Sequence, residues 1–416
     1  MQKRNLVFGT GLVAAVVALA CASEAMDRMA QAYDADGMAP MFQVDPFWPK
    51  PLPNHWILGA TIGVDVDSRD HVWIVHRNTP DQFMRAQEIG AAQDPPLSDC
   101  CVPAPSVLEF DPDGNLVDAW GGPGTETGDY VWPGSNHGIT IDHMDNVWIG
   151  GNGSTERVMD GDTVDLTDRH ILKFSRTGTF LAQYGTPGTE VSSLDMENFG
   201  MVAKIFVDGE QNEAYIADGY RNTRVAVLDA ATGQIKRTWT ARGNPVTAER
   251  APAYEPGETP PDVFRTPVHC AELSNDGLLY VCDRPSNRIS IFQRDGTFVS
   301  EHIIAPHTRA QGSTWDIDFS PDDEQTWIYL ADGQNMKVYV IRRETMEVVY
   351  SFGDGGRQPG LWFAVHSIAV DSEGNIFTTE TYEGTRVQKF DYMGMGTVTA
   401  TDMGAPWPAD RRRSEN

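Results

Sequence analysis

The stretch HSIAVDSEGNIFTTETYEGTRVQKF at residues 366–390 decides the fold. Apolar and polar residues alternate through its first segment, and an aspartate followed by a Gly-Asn pair then marks a turn. A second segment rich in β-forming residues comes next, and a polar break separates it from a third segment. This order predicts antiparallel strands that are joined by tight turns.

The same order of strand, turn, strand and polar break recurs five times upstream. The copies are IGVDVDSRDHVWIVHR (62–77), HGITIDHMDNVWIGG (137–151), AKIFVDGEQNEAYIADGYRNTRVAVLD (203–229), HCAELSNDGLLYVCDRPSNRISIF (269–292) and WDIDFSPDDEQTWIYLADGQNMKVYVI (315–341). The six units start roughly 45 to 75 residues apart. A single unit cannot bury both of its faces, so neighbouring units pack face to face around an axis. We therefore predict an all-β fold, a six-bladed β-propeller.

The two ends of the repeat region predict how the ring closes. The last copy ends after its third strand, near Tyr392, and lacks an outer strand. The segment MFQVDPF (41–47) precedes the first copy and has the alternation of a strand. We expect this N-terminal strand to close the ring, so that no sheet edge is left exposed there. The propeller is thus predicted over residues 41–395, with a C-terminal tail at 396–416.

Residues 1–22 have the pattern of a signal peptide. Two basic residues precede an apolar run at residues 6–20, which ends in an Ala-Leu-Ala cleavage motif. Cys21 follows this motif directly and is also compatible with a lipoprotein leader. No later stretch reaches the roughly 18 apolar residues of a membrane span. We expect an exported protein, periplasmic or secreted, with no membrane span and with a lipid anchor only if Cys21 is modified.

The charge balance narrows the class of partner. The chain carries 59 acidic and 32 basic residues, a formal net charge of −27. Nucleic-acid binding requires a basic face for the phosphates, so we exclude nucleic acid as a partner. The excess of acid is expected to favour solubility. The sequence does not predict the oligomeric state.

The cysteines outside the leader fall into two pairs. Cys270 and Cys282 lie on neighbouring strands of one predicted hairpin, so a disulfide between them is expected in an exported protein. Cys100 and Cys101 are adjacent, and a bridge between them is not expected because it would strain the chain.

One position at the start of each innermost strand carries the main functional signal. It lies five residues before the aspartate or serine that begins the turn. In blade order its occupants are Ile62, His137, Ala203, His269, Trp315 and His366. Histidine therefore fills alternate blades, which places three imidazoles about 120° apart and pointing into one channel. Three neutral imidazoles with an open fourth position are typical of a catalytic zinc site. Histidines that only bind water or backbone are the simpler interpretation of any one of them.

A second position, just after the second strand, adds polar groups at the same end of the channel. Arg77 and Arg284 follow the second strands of blades 1 and 4, and Tyr220 lies two residues after Asp218 in blade 3. The arginines would bind an anionic group of the substrate, and a tyrosine beside zinc would act as a base. Pairing with acids at the loop rim is the structural alternative for the arginines.

The final copy, SIAVDSEGNIFTTETYEGTRVQKF, resembles the repeat of NHL propellers, and the resemblance extends over about residues 55–395. Six segments together resemble a more specific family, the peptidyl-α-hydroxyglycine α-amidating lyase domain of peptidylglycine α-amidating enzymes. The segments are HRN (76–78), NHGITID (136–142), ADGYRN (217–222), VHCAEL (268–273), CDRPSNRI (282–289) and VHSIAVD (365–371). The resemblance implies that the three histidines bind zinc, that Tyr220 is the catalytic tyrosine and that Arg77 and Arg284 are active-site arginines.

The sequence departs from that family at two positions. The family holds a calcium ion in the channel with two main-chain carbonyls, at positions that correspond to Val64 and Ile139, and with an acid that corresponds to Ser367. Serine lacks the carboxylate that calcium prefers, so zinc is the expected cofactor and calcium is left open. A family methionine corresponds to Ala364, which predicts a different substrate pocket. An insertion at 78–104 is expected to shape access to the channel, or to be an ordinary surface excursion.

The resemblance implies cleavage of the carbon–nitrogen bond of an N-acyl hemiaminal such as a peptidyl-α-hydroxyglycine, which gives an amide and glyoxylate or a related carbonyl compound. The substrate would then be a small or peptide-derived molecule with a carboxylate. Two alternatives stay open from the sequence. The same metal could activate water in a hydrolase or lactonase, and an NHL propeller could be a binding scaffold without catalysis. The histidine trio counts against the scaffold.

Overall fold

The structure is a computed structural model that describes residues 37–79, 84–159 and 162–404. The predicted leader and Cys21 lie outside the described residues, as does the end of the predicted tail. The regular secondary structure of the described residues consists of β-strands and of 3-10 turns at Gly90–Ala92, Ala241–Gly243 and Arg284–Ser286.

Six sheets of antiparallel strands, here called blades 1 to 6, follow one another along the chain. From the innermost strand outward, the strands of blade 1 are Thr61–Val66, Val72–His76, Val107–Phe110 and Leu116–Trp120; of blade 2, Asn136–Ile141, Val147–Gly151, His170–Phe174 and Phe180–Gly185; and of blade 3, Val202–Asp208, Glu213–Asp218, Arg224–Asp229 and Ile235–Trp239. Those of blade 4 are Val268–Leu273, Leu278–Asp283, Arg288–Gln293 and Phe298–Ile303; of blade 5, Asp316–Phe319, Trp327–Asp332, Lys337–Arg342 and Glu347–Phe352; and of blade 6, Val365–Val370, Ile376–Glu380, Val387–Thr397 and Met38–Asp45.

The innermost strands contact one another in chain order, and that of blade 6 contacts that of blade 1. The buried apolar residues follow the same circle, because each of the six hydrophobic clusters of the described chain lies between two neighbouring blades. In the cluster between blades 6 and 1, for example, Ala369 and Phe377 pack with Val64 and Ile74. The fold is a six-bladed β-propeller, as predicted.

The outer edges of blades 5 and 6 involve both ends of the described chain. Met38–Asp45 pairs antiparallel with Val387–Thr397 and is the outer strand of blade 6. Asp402–Met403 pairs parallel with Glu347–Phe352 and adds a fifth strand to blade 5. The predicted start of the tail at residue 396 is therefore wrong, because that residue lies within a strand and the chain beyond it pairs with a sheet edge.

The aspartate that begins the turn in four of the six repeats, like the serine in the other two, organises that turn rather than the channel. The Asp142 carboxylate accepts the backbone N–H groups of Met144 and Asn146 at 2.9 Å and the indole N–H of Trp148 at 2.9 Å. This is the side-chain turn that aspartate favours. Turns such as 67–71, 142–146 and 371–375 stay short, and they all lie at the same end of the propeller.

The long connections all lie at the opposite end, where the innermost strands begin; we call this end of the channel the mouth. They include 121–135, 186–201, 240–267, 304–315 and 353–364. Two insertions lie there as well. A two-stranded parallel sheet joins Trp56–Ile57 to Val102–Pro103, and a hairpin is formed by Ser154–Met159 and Asp162–Thr167. Loops at one end of a rigid scaffold are the usual place for a functional site.

Two disulfides lie in the described chain. Cys270 and Cys282 are joined across the inner hairpin of blade 4. Cys100 and Cys101 are also joined, within the insertion of blade 1. The expectation that this adjacent pair stays unbridged is wrong, because the loop brings the two neighbouring sulfur atoms together.

No helix among the described residues is long and apolar enough to cross a membrane.

Candidate metal centre at the channel mouth

The three histidines enter the channel because each lies at an irregularity in its strand. His137, His269 and His366 are each the second residue of an innermost strand. At each of them the pairing with the second strand shifts register. A β-bulge bends the strand and re-aims a side chain, here towards the channel axis. Gly138 helps to form one such bulge at φ +70°, where an added Cβ would lie 2.5 Å from the Ala203 carbonyl oxygen.

The alternation of the repeat position has a structural reason. Nδ1 of His137 donates to the carbonyl oxygen of Ala203 at 2.7 Å, and Nδ1 of His269 donates to that of Trp315 at 2.5 Å. Each acceptor occupies the equivalent position on the next blade. Even-numbered blades thus supply imidazoles, and odd-numbered blades supply the carbonyls that orient them. Orientation of this kind is usual for metal-binding histidines.

His366 follows the same pattern with weaker contacts. Its Nδ1 has no hydrogen-bond partner of normal geometry in the part of the chain that the structure describes. The backbone of Ile62 is nevertheless close enough to raise its pKa slightly, against larger effects that lower it. The Ile62 carbonyl oxygen also accepts the hydroxyl of Ser367 at 3.2 Å.

The three imidazoles form a compact, neutral donor set. One nitrogen from each lies within 4.8 Å of the others, and the three residues are 1%, 2% and 3% exposed. Burial lowers the pKa of all three rings well below the usual value, and nearby arginines lower it further. Since Nδ1 of His137 and of His269 carries a proton for its carbonyl, Nε2 of each ring presents a lone pair. Neutral imidazole lone pairs are what a metal requires.

The hydroxyl of Tyr220 lies within hydrogen-bond distance of two of these nitrogens. Its hydroxyl is 2.8 Å from Nε2 of His137 and 3.1 Å from Nε2 of His269. Burial raises the pKa of Tyr220, while the positive charges of Arg284 and Arg77 act in the opposite direction. The phenol therefore needs further positive charge beside it to ionise near neutral pH.

The two predicted arginines flank Tyr220 and are buried. Nη2 of Arg77 donates to Oδ1 of Asn152 at 2.9 Å, and burial lowers the pKa of this arginine. The guanidinium of Arg284 lies 4.4 Å from the ring centre of Trp315 and 5.8 Å from that of Tyr220. The structure thus brings the predicted catalytic and zinc-binding residues to one mouth.

The predicted calcium positions lie deeper in the channel, where the structure has a different group of charges. The ammonium group of Lys204 lies 2.7 Å from an Asp316 oxygen and 2.8 Å from a Glu272 oxygen. Ser367, at the family's acid position, lowers the pKa of Asp316 by a hydrogen bond. Calcium binding by the carbonyls of Val64 and Ile139 stays a prediction.

Two residues at the mouth were missed by the sequence reasoning. Gln311 accepts Nη2 of Arg284 at 3.1 Å and contacts the hydroxyl of Tyr382. Tyr382 lies two residues after Glu380 at the end of its second strand, as Tyr220 lies two residues after Asp218. Comparison of the repeats could have found Tyr382, whereas Gln311 lies in a connection that does not repeat.

Comparisons with known proteins support the repeat class. No protein-family model matches the chain. The mouse protein NHL repeat-containing protein 3 is 25% identical over 259 residues, which are 62% of this chain and 58% of that protein. The chain is a homologue of an NHL-repeat protein. The match spans less than two thirds of the mouse protein.

Solved structures of two lyases align with most of this chain. A streptogramin B lyase is 13% identical and has a TM-score of 0.48. The alignment covers 86% of this chain and 98% of that one. A virginiamycin B lyase from Staphylococcus aureus is 12% identical and has a TM-score of 0.46. That alignment covers 84% of this chain and 99% of the lyase chain. Likenesses at these scores carry no conclusion about the chemistry of this chain.

Proposed function

We propose that this protein is an exported zinc-dependent carbon–nitrogen lyase. Its substrate would be an N-acyl hemiaminal with a carboxylate, of the peptidyl-α-hydroxyglycine type. The observation that carries the proposal is the position of the Tyr220 hydroxyl, 2.8 Å and 3.1 Å from two imidazole nitrogens that also suit a metal. A binding scaffold has no need for a buried tyrosine and two buried arginines around three neutral histidines.

The donor set fits zinc. His137, His269 and His366 would hold it through nitrogen atoms that lie within 4.8 Å of one another. Nitrogen ligands from three histidines, with a further position left for substrate, match the preference of catalytic zinc sites. When bound, zinc supplies a Lewis acid that lowers the pKa of a hydroxyl group beside it and adds positive charge near Tyr220.

The side chains at the mouth would bind the substrate and transfer its proton. Arg284 and Arg77 bind and orient the substrate carboxylate, because guanidinium groups pair with carboxylates in a fixed, two-pronged geometry. Their positive charge also lowers the pKa of Tyr220 against the effect of burial. Tyr220 is then available as a phenolate that accepts the proton of the substrate hydroxyl.

The proposed step balances without water. The phenolate of Tyr220 takes the hydroxyl proton, and the O–H electron pair becomes the second bond of the new carbonyl. The C–N bond breaks, its electron pair goes to the amide nitrogen, and that nitrogen takes the proton back from Tyr220. One hemiaminal gives one primary amide and one glyoxylate.

The direct test is incubation of the zinc-loaded protein with benzoyl-α-hydroxyglycine. We expect equal amounts of benzamide and glyoxylate, with no solvent oxygen in the glyoxylate aldehyde when it is trapped at once. Tyr220→Phe should keep its zinc and lose about 100-fold or more in kcat, the usual contribution of a general base. Tyr254→Phe is the matched control, because its hydroxyl donates to the Pro306 carbonyl at 2.7 Å on an exposed loop.

Two results would contradict the proposal. One is the absence of glyoxylate release by protein that carries a full zinc complement. The other is an unchanged kcat in Tyr220→Phe, which would remove the assigned base. Hydrolysis of lactones or esters in place of hemiaminal cleavage would favour the hydrolase alternative.

A further inference from the structure

Arg284 differs in its partner from Arg224 and Arg288, two other buried arginines of the propeller. Arg224 pairs with Asp218 and Arg288 pairs with Asp283, each at 2.7 Å. Arg284 has no carboxylate within ion-pair distance among the described residues, and it is only 6% exposed. Its Nε has no hydrogen-bond partner within the described part of the chain. A buried guanidinium without a counter-ion is costly unless a ligand supplies the charge.

Gln311 accepts a hydrogen bond from the Arg284 guanidinium and so orients it. The ring of Trp315 at 4.4 Å and that of Tyr220 at 5.8 Å flank the group, and the Tyr220 hydroxyl is also close enough to interact with its N–H donors. Oε1 of Gln311 accepts Nη2 at 3.1 Å. An amide oxygen orients the guanidinium without cancelling its charge, whereas a carboxylate at the same point would form an ion pair.

Gln311 is itself held from across the mouth by Tyr382. Its Nε2 donates to the Tyr382 hydroxyl at 2.9 Å, and that hydroxyl donates back to Oε1 at 3.1 Å. Gln311 belongs to the connection into blade 5, and Tyr382 follows the second strand of blade 6. Tyr382 is also close enough to affect the pKa of Tyr220 and of Arg77. The pair therefore bridges two blades beside the proposed base.

We propose that Gln311 is a positioning residue for Arg284, with Tyr382 as its support, and that its neutral amide makes the mouth selective for an anionic group. The proposal rests on the proposed function in placing the substrate at this mouth. It goes beyond that function because it assigns the preference for an anionic substrate to Gln311. Among the described residues, this side chain contacts neither the three histidines nor Tyr220.

The test measures charge selectivity without turnover, so that it can fail independently of the lyase activity. Binding of hippurate and of its neutral amide, hippuramide, to the zinc-loaded full chain is measured by calorimetry. In Gln311→Glu we expect the hippurate affinity to fall by about tenfold or more, with the hippuramide affinity within about twofold of the wild type. Gln311→Met removes the tether without adding charge and should lose about two- to fivefold for hippurate.

Tyr382→Phe and a charge control complete the design. Tyr382→Phe should lower hippurate affinity by about two- to threefold, because Gln311 loses its support. Gln211→Glu adds the same charge on an exposed turn at the opposite end of the propeller and should leave both affinities unchanged. If Gln311→Glu keeps the wild-type ratio of hippurate to hippuramide affinity, or if wild-type protein binds both probes equally, the proposal is wrong.

Discussion

Asp318 gives the channel a measurable pH dependence. Burial raises the pKa of its carboxyl from 3.8 to about 7, with Asp65 adding to the rise and Lys204 opposing it. The carboxylate accepts the backbone N–H groups of Phe319 and Val370, both at 2.7 Å, which also opposes the rise. Because its folded-state pKa is raised, the native protein binds more protons than the unfolded chain between about pH 4 and pH 7. Stability therefore falls as pH rises through this window, and the loss is complete above it.

The size of the effect follows from the two pKa values. A difference from 3.8 to about 7 corresponds to at most about 4 kcal/mol at 1.4 kcal/mol per pH unit. The side chain is partly exposed, so solvent screening reduces this to about 1–3 kcal/mol. Asp318→Asn should remove the part of the dependence that this carboxyl causes, and the variant should gain about 1–2 kcal/mol of unfolding free energy relative to the wild type between pH 5 and pH 8.

The assay is urea unfolding of both proteins at several pH values, followed by tryptophan fluorescence. Asp323→Asn is the control, because it makes the same change of charge on an exposed turn. Parallel pH profiles of the wild type and Asp318→Asn from pH 5 to pH 8 would refute the raised pKa. A larger loss in the variant at high pH would refute the sign.

Two further predictions concern the backbone and the charges around the channel. Lys204→Met should lower the free energy of unfolding by about 3–5 kcal/mol, because Glu272 and Asp316 are left buried without their cation. A midpoint of thermal unfolding equal to that of the wild type would contradict this role of Lys204. Gly138→Ala should cost about 1–3 kcal/mol and weaken zinc binding in a competition titration, because the new Cβ would lie 2.5 Å from the carbonyl that orients His137. Gly257→Ala is its control, because Gly257 has a similar φ of +84° and no atom of the described residues lies within 4 Å of its added Cβ. Equal losses in both variants would show that the close contact at Gly138 is unimportant.

The repeats made the fold and the histidine trio predictable. One register position, compared across six copies, separates His137, His269 and His366 from the other histidines of the chain. The pattern does not predict the bulge at each of these positions or the carbonyl on the next blade. Both are backbone features that depend on how the strands pair.

Other features lay outside the repeats and were missed for that reason. Gln311 belongs to a connection without periodicity, so nothing in the sequence links it to Arg284. Residues beyond 396 carry no repeat pattern, although Asp402–Met403 pairs with blade 5. The bridge between Cys100 and Cys101 depends on the path of an insertion that has no counterpart in the other blades.

The metal content of the purified protein tests the central claim most directly. Protein prepared without chelators is analysed for zinc and other divalent metals, beside His269→Ala and His302→Ala, a histidine on the outer strand of blade 4. We predict about one zinc ion per chain in the wild type and in His302→Ala, and almost none in His269→Ala with an unchanged fold. Full metal content in His269→Ala, or none in the wild type after zinc has been supplied, would contradict the account.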